Sequence, residues 1–435
     1  MGLSIEDKNM NKIIFPYGKE RLEYDFSSEN FLGTLTSSLS EYRREADGRE
    51  LVRRALDNPI GSERLSALAA GKKKIVIIAS DHTRPVPSKI IIPEMLREIR
   101  AGAPDADITI LIATGCHRET TREELIAKFG EDIVNNERIV VHDSTDEASL
   151  VHIGTLPSGG ALRINRLAAE CDLLVSEGFI EPHFFAGFSG GRKSVLPGIA
   201  AKESVLANHC SEFIAHPLAR TGILEGNPIH KDMLWAAKAA GLAFIVNVVI
   251  NEEKETVYAV AGDCEAAHLS GCEFLLGLCR ARAIPSDIVI TTNGGYPLDQ
   301  NAYQAVKGMT AAEQTVNEGG VIIMLARAND GHGGEEFYNQ LSREPDVNKT
   351  MDVFLARSRG ETVPDQWQTQ IFLRILMRAA VIFVSEMDDE TVRGLHMTPA
   401  HSIGEALALA KKMLGKKSPS VLAIPDGVSI IVEKN

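Results

Sequence analysis

The chain has 435 residues, 44% of them hydrophobic and 24% charged, with a formal net charge of −13. Those are the proportions of a globular protein with a real core, and the length suits two domains better than one. The acidic balance argues against nucleic acid or an anionic membrane as the main partner, though not against a small anion held at a locally basic site.

Along the chain, short apolar and β-branched runs alternate with longer amphipathic ones, the pattern of parallel strands joined by crossover helices. Residues 75–79 form the first such run, ending in Ser80-Asp81, and 88–100 read as a helix. A strand at 108–113 is stopped by Thr114-Gly115, and a helix follows at 121–128, with Thr120 or Thr121 as its cap before Glu123 and Glu124. Short strands come next at 139–142 and 173–176. Gly226-Asn227-Pro228 opens a helix at 229–240, and 244–250 is a buried strand. A boundary falls near 280–286, where a helical stretch ends in Ala283-Ile284-Pro285-Ser286. Beyond it lie strands at 288–292, 321–325 and 380–385 and a helix at 405–414. The expected fold is α/β: two domains with mainly parallel sheets, 1–280 and 281–435, and the active site in the cleft between them.

Six cysteines (Cys116, Cys171, Cys210, Cys264, Cys272 and Cys279) form no C-x-x-C pair, which fits reduced thiols in the cytoplasm. Residues 1–17 lack the apolar core of a signal peptide, and no apolar run is long enough to span a bilayer. A cytoplasmic protein without membrane or nucleic-acid partners is expected.

Polar residues gather in the loops after the strands. The first loop is Ser80-Asp81-His82-Thr83-Arg84-Pro85, equally readable as a helix cap with a solvated partner. The second is Thr114-Gly115-Cys116-His117-Arg118. The third, from Glu181 to Ser194, holds His183, Phe184, Phe185, Phe188, three glycines (Gly187, Gly190, Gly191), Arg192 and Lys193. Its glycines allow positive φ and close approach of a ligand to backbone N–H groups. Residues 187–194 resemble a nucleotide P-loop, but Arg192 stands where that motif requires glycine and would crowd the phosphate nest. Asn208-His209-Cys210 follows, and in the second half Tyr303, Gln304 and Lys307 cluster; on a helix, Tyr303 and Lys307 would share a face.

Taken in order, D-H-T-R-P, T-G-C-H-R, H-F-F-A-G-F-S-G-G-R-K-S-V-L-P-G, N-H-C, G-N-P-I-H-K-D and Y-Q-A-V-K-G resemble the motifs of the nickel-dependent lactate racemases, over residues 81 to about 367. The resemblance implies a pyridinium mononucleotide with thiocarboxylate arms that grip nickel, made by dedicated maturation enzymes. It implies that Lys193 tethers this cofactor covalently and that His209 is the protein ligand to Ni(II). Asp81, His82, Thr83 and Arg84 would contact the cofactor, Arg84 reaching the substrate as well. His117 and His183 match the catalytic histidines, and Tyr303, Gln304, Lys307 and Trp367 match substrate-side residues. The implied reaction is racemisation or epimerisation of a 2-hydroxy acid, lactate by default, by hydride transfer through a 2-keto acid. Malate, an aryl hydroxy acid or an aldonate would suit the same chemistry. Two other classes compete: a P-loop-like nucleotide-binding protein using Lys193, and a metal hydrolase built on His117, His183 and His209, whose spacing matches no compact zinc signature.

Overall fold

The computed structural model describes residues 11–251 and 253–434. The chain divides into two compact units: Leu39–Gly277, and the described residues up to Ser38 together with those from Leu278 onward. Two six-stranded sheets form their centres. In chain order their strands are β1 (Asn30–Thr34), β2 (Lys74–Ser80), β3 (Asp107–Ala113), β4 (Arg138–Val141), β5 (Leu173–Phe179) and β6 (Leu242–Ile250). They continue with β7 (Thr256–Gly262), β8 (Ser286–Thr292), β9 (Val316–Leu325), β10 (Ala380–Val384), β11 (Thr398–Ala400) and β12 (Ser420–Ile424).

In the 39–277 unit the sheet order is β7-β6-β5-β2-β3-β4, all parallel except the β7 edge, which pairs antiparallel with β6. Every residue of β5 is buried, as expected of a central parallel strand covered on both faces. Helix α1 (Ser88–Gly102) lays Ile91, Ile92, Met95, Leu96 and Ile99 on the core, positions that recur at helical spacing. Helix α2 (Arg122–Phe129) starts with a capping box in which Thr121 and Glu124 satisfy each other's backbone N–H groups. The chain leaves β2 toward β3 and β4, then returns on β5 at the other flank of β2. Loops leaving the carboxyl ends of β2 and β5 therefore part, and the crevice at such a switch point is where open α/β sheets bind ligands.

The second unit repeats the plan with the all-parallel order β11-β10-β9-β8-β12-β1. Its switch point lies between β8 and β12. One difference from the sequence division stands out. Strand β1, with the Lys12–Tyr17 and Glu20–Asp25 hairpin before it, belongs with the C-terminal unit, because β1 closes that sheet beside β12.

Candidate active site

At the end of β2, residues 81–84 fold into a tight turn. Thr83 donates to Asp81 Oδ1 from its backbone N–H at 3.2 Å and from Oγ1 at 2.7 Å, while Arg84 Nη1 donates to Thr83 Oγ1 at 3.2 Å. The other carboxylate oxygen, Oδ2, accepts from His117 Nδ1 at 2.7 Å. His117 sits on the turn after β3, which is tied down where Gly115 N–H donates to the Gly198 carbonyl at 2.9 Å. Asp81 is only 1% exposed. Burial would raise its pKa, but the hydrogen bond and charge of His117, helped by Arg84 and Thr83, hold the carboxyl at about 2. An ionised Asp81 fixes the imidazole tautomer: the proton stays on Nδ1 and Nε2 keeps its lone pair. The exposed ring of His117 is thereby oriented with Nε2 free to accept a proton. His82 turns elsewhere, its Nδ1 lying 3.0 Å from Thr120 Oγ1 and 3.7 Å from Glu124.

After β5 the chain makes a short antiparallel pair, Pro182–His183 with Gly187–Phe188, and then a 3₁₀ turn, Gly191–Ser194, which packs on β2. His183 Nδ1 accepts the Ala186 N–H at 3.3 Å, and His183 Nε2 lies 3.3 Å from Lys193 Nζ. The Phe185 ring is a shared floor: its centre is 4.5 Å from the His183 ring, 5.1 Å from the His209 ring and 5.6 Å from Lys193 Nζ. His209 caps the carboxyl end of helix α3 (Lys202–Asn208) and is buried. Burial first, and the charge of Lys193 second, bring its pKa down to about 3. The ring is thus neutral at physiological pH, the form in which imidazole binds metals.

Arg192 does not enter this space. It is fully buried and turned inward, where Nη2 donates to the Ala186 carbonyl at 2.7 Å and Nη1 to the Phe188 and Gly190 carbonyls at 2.9 and 3.2 Å. Its Nε donates to His230 Nδ1 at 3.0 Å. Burial lowers its pKa only to about 10, so the guanidinium keeps its charge and pins the loop from within. The glycines serve the same packing. A Cβ at Gly187 (φ +79°) would lie 2.4 Å from the Ile223 carbonyl, and one at Gly190 (φ +81°) 2.6 Å from Asn247 Oδ1. The sequence reading assigned that close approach to a ligand; here the approaching atoms belong to the protein itself. Replacing Arg192 with Leu strands three carbonyls and His230, each unpaired buried acceptor costing about 1–3 kcal/mol. We expect Arg192→Leu to lose about 3 kcal/mol or more of stability, visible as a lower thermal unfolding midpoint, and Arg192→Lys to restore little because an ammonium cannot span the three carbonyls.

The remaining sequence candidates lie in the second unit, on helices α4 (Ala302–Glu313) and α5 (Gln366–Arg378). Tyr303 and Lys307 do fall one helical turn apart on α4. Asn301 caps this helix through the Gln304 N–H at 2.9 Å, while the buried Gln304 Oε1 has no hydrogen-bond partner. Tyr303 hydrogen-bonds Asp365, and Gln368, next to Trp367 on α5, donates to the Tyr303 carbonyl. Sequence reasoning missed Arg192 as a loop anchor, and it left Phe184, Phe185 and Phe188 alike as site lining or core without singling out Phe185 as the floor. A charge displayed in a sequence carries no direction, and an aromatic run reads equally well as core.

An oriented histidine–carboxylate pair and a lysine beside two further histidines, at the switch point of a parallel sheet, are groups suited to acid–base chemistry. They do not build a phosphate-hydrolysing loop: residues 191–194 are a single 3₁₀ turn rather than the start of a helix. Residues 17–222 match the lactate racemase N-terminal domain and 281–432 the lactate racemase C-terminal domain. The lactate racemase of Thermoanaerobacterium thermosaccharolyticum is 56% identical over 98% of this chain and all of its own length, and that of Lactiplantibacillus plantarum 55% identical over the same shares. The structure of the lactate racemase apoprotein from T. thermosaccharolyticum superposes with a TM-score of 0.93, covering 97% of this chain and 100% of that one at 56% identity. A Thermotoga maritima protein at 20% identity shares the fold with a TM-score of 0.63, over 90% of this chain and 100% of its own. The chain belongs to the lactate racemase family, and it is an isomerase of the racemase and epimerase class. Among the described residues, no helix is long and apolar enough to cross a membrane.

Proposed function

We propose that this chain racemises a 2-hydroxy acid, lactate foremost, in the cytoplasm, using a nickel-bearing pyridinium mononucleotide that maturation enzymes supply and Lys193 tethers. The observation that carries this reading is the meeting of Lys193, His183 and His209 around Phe185, beside the Asp81–His117 pair on the neighbouring strands. The residues suit such a group. His209 is a neutral imidazole, a good nickel(II) donor. His209 is the side chain that would hold the metal, and the cofactor would supply its further donors. Lys193 offers a primary amine on a loop held rigid by Arg192. When bound, the cofactor supplies an electron-poor ring that accepts and returns a hydride.

The chain's own residues supply the rest. Removing the Cα hydrogen of a 2-hydroxy acid as a proton would leave a second negative charge beside the carboxylate; removing it as hydride avoids that dianion. His117 Nε2, oriented by Asp81, takes the hydroxyl proton of one enantiomer, and His183 takes that of the other. Loss of the O–H proton and of the Cα hydrogen with its electron pair leaves a planar 2-keto acid. Turning that intermediate presents its other face, and the second histidine then returns a proton to oxygen. Arg84 is assigned to the substrate carboxylate, its guanidinium offering two parallel N–H groups, and Lys307 is the candidate carboxylate cation of the other unit. Asp81 and Thr83 are assigned to the cofactor side, His82 stays in the same turn with its ring on Thr120 and Glu124, and Tyr303, Gln304 and Trp367 are the substrate-side candidates of the other unit. His209→Ala tests the metal assignment: made with the maturation enzymes, it should keep the tethered organic cofactor by intact mass yet hold far less nickel by elemental analysis. Equal nickel in variant and parent would make His209 a packing residue.

A further inference from the structure

The loop carrying Asp81, Thr83 and Arg84 rests on two charged side chains, one buried and one half-buried, that the reaction above does not use. Glu177, in the middle of β5, is 2% exposed. Its Oε1 accepts from the Ser80 N–H and Oγ at 3.3 Å each and from Ser88 Oγ at 2.6 Å. Ser80 is the last residue of β2 and Ser88 the first of α1. One carboxylate oxygen thus joins both feet of the seven-residue loop 81–87. Lys128, one residue before the end of α2, reaches its middle, where Nζ donates to the Arg84 carbonyl at 3.0 Å.

We infer that Glu177 and Lys128 are positioning residues that set the 81–87 loop, Glu177 through Ser80 for the Asp81–His117 base and Lys128 through the Arg84 backbone for the substrate cation. A purely structural tie would be met more cheaply by neutral groups. Burial pushes the Glu177 carboxyl up and the Lys128 ammonium down, and each is opposed by the charge of the other. The second oxygen of Glu177 is buried with no hydrogen-bond partner, so its desolvation is offset chiefly by Lys128. The two groups therefore support one another. Disturbing either releases a different part of the same loop.

This inference rests on the proposed reading of residues 81–84, and the experiment separates the two. Glu177→Gln, Lys128→Met, Ser88→Ala and the Glu177→Gln/Lys128→Met double variant are made with the maturation enzymes. Turnover is counted per tethered cofactor, so a chain that only folds or loads less well shows parental kinetics on each loaded site. Glu177→Gln and Ser88→Ala should lower kcat at least tenfold, with KM little changed. Lys128→Met should mainly raise KM, because it frees Arg84. Tether mass and nickel per chain should stay parental, and amide exchange in a peptide spanning 80–88 should quicken in every variant. The double variant should lose less than the product of the single losses. Parental kcat and KM per loaded site, with unchanged exchange at 80–88, would overturn the inference while leaving the proposed function intact. Should Glu177→Gln fail to fold, the Lys128 and Ser88 variants decide it alone. A parent enzyme that carries no tethered cofactor yet racemises would instead sink the underlying reading.

Discussion

Lys193→Ala is expected to abolish racemisation outright while leaving the fold in place. The side chain is half-buried at the start of the 191–198 turn, and the backbone there is held by bonds that the substitution leaves alone: Arg192 to the loop carbonyls and Gly191 N–H to Asn247 Oδ1 at 2.7 Å. Little stability therefore depends on the Lys193 ammonium, and the thermal midpoint should stay close to that of the parent. What goes is the one covalent attachment assigned to the cofactor. Protein made with the maturation enzymes should show the mass of the bare polypeptide. It should retain no more than non-covalent nickel and turn over neither enantiomer. Activity near parental in this variant would remove Lys193 from the mechanism and with it the reason for assigning that cofactor.

The second large effect belongs to Asp81. Asp81→Asn keeps the volume and the turn but replaces an obligate acceptor with a group whose NH₂ can face His117. The imidazole then has reason to place its proton on Nε2, the atom that must be bare to accept the hydroxyl proton. We expect kcat to fall by roughly 10² or more in both directions, since a reversible reaction uses one histidine as base and the other as acid. His117→Ala and His183→Ala should each be as damaging, again in both directions. Because the equilibrium constant fixes the ratio of kcat/KM in the two directions, kcat/KM must fall equally for both enantiomers, whereas full activity in Asp81→Asn would show that the 2.7 Å contact is only structural.

Much of the fold is legible in the sequence because parallel strands announce themselves. Residues 75–79, 108–113, 139–142 and 288–292 are apolar runs closed by turn residues, and they became β2, β3, β4 and β8 with ends that agree to within two residues. The cap was readable only as Thr120 or Thr121, each three residues before a glutamate, and the structure uses Thr121 with Glu124. Placing β1 in the second sheet was not readable, since pairing between Val421 and Phe31 is a contact across nearly the whole chain. The antiparallel strand β7 was missed too, because only a short turn separates it from β6. Loop position made Asp81, His117, His183 and Lys193 legible as candidates. Their grouping was not: Phe185, the ring that His183, Lys193 and His209 share, is one of three phenylalanines in that segment, and spacing alone does not single it out. Glu177 hid inside an apolar strand, and Arg192 looked like an obstruction because nothing local says that its side chain turns inward.

The claim at the centre is that the hydrogen at Cα moves with its electron pair and never meets solvent. Racemisation of L- and D-lactate in heavy water, followed by NMR or mass spectrometry at Cα, tests this most directly. Hydride transfer predicts product with little Cα deuterium after many turnovers and a trace of pyruvate on acid quench. Were His117 or His183 to remove Cα–H as a proton, the imidazolium would exchange it with solvent before returning it. Rapid Cα deuterium incorporation at the rate of racemisation would contradict the account, leaving proton abstraction by the same two histidines in its place.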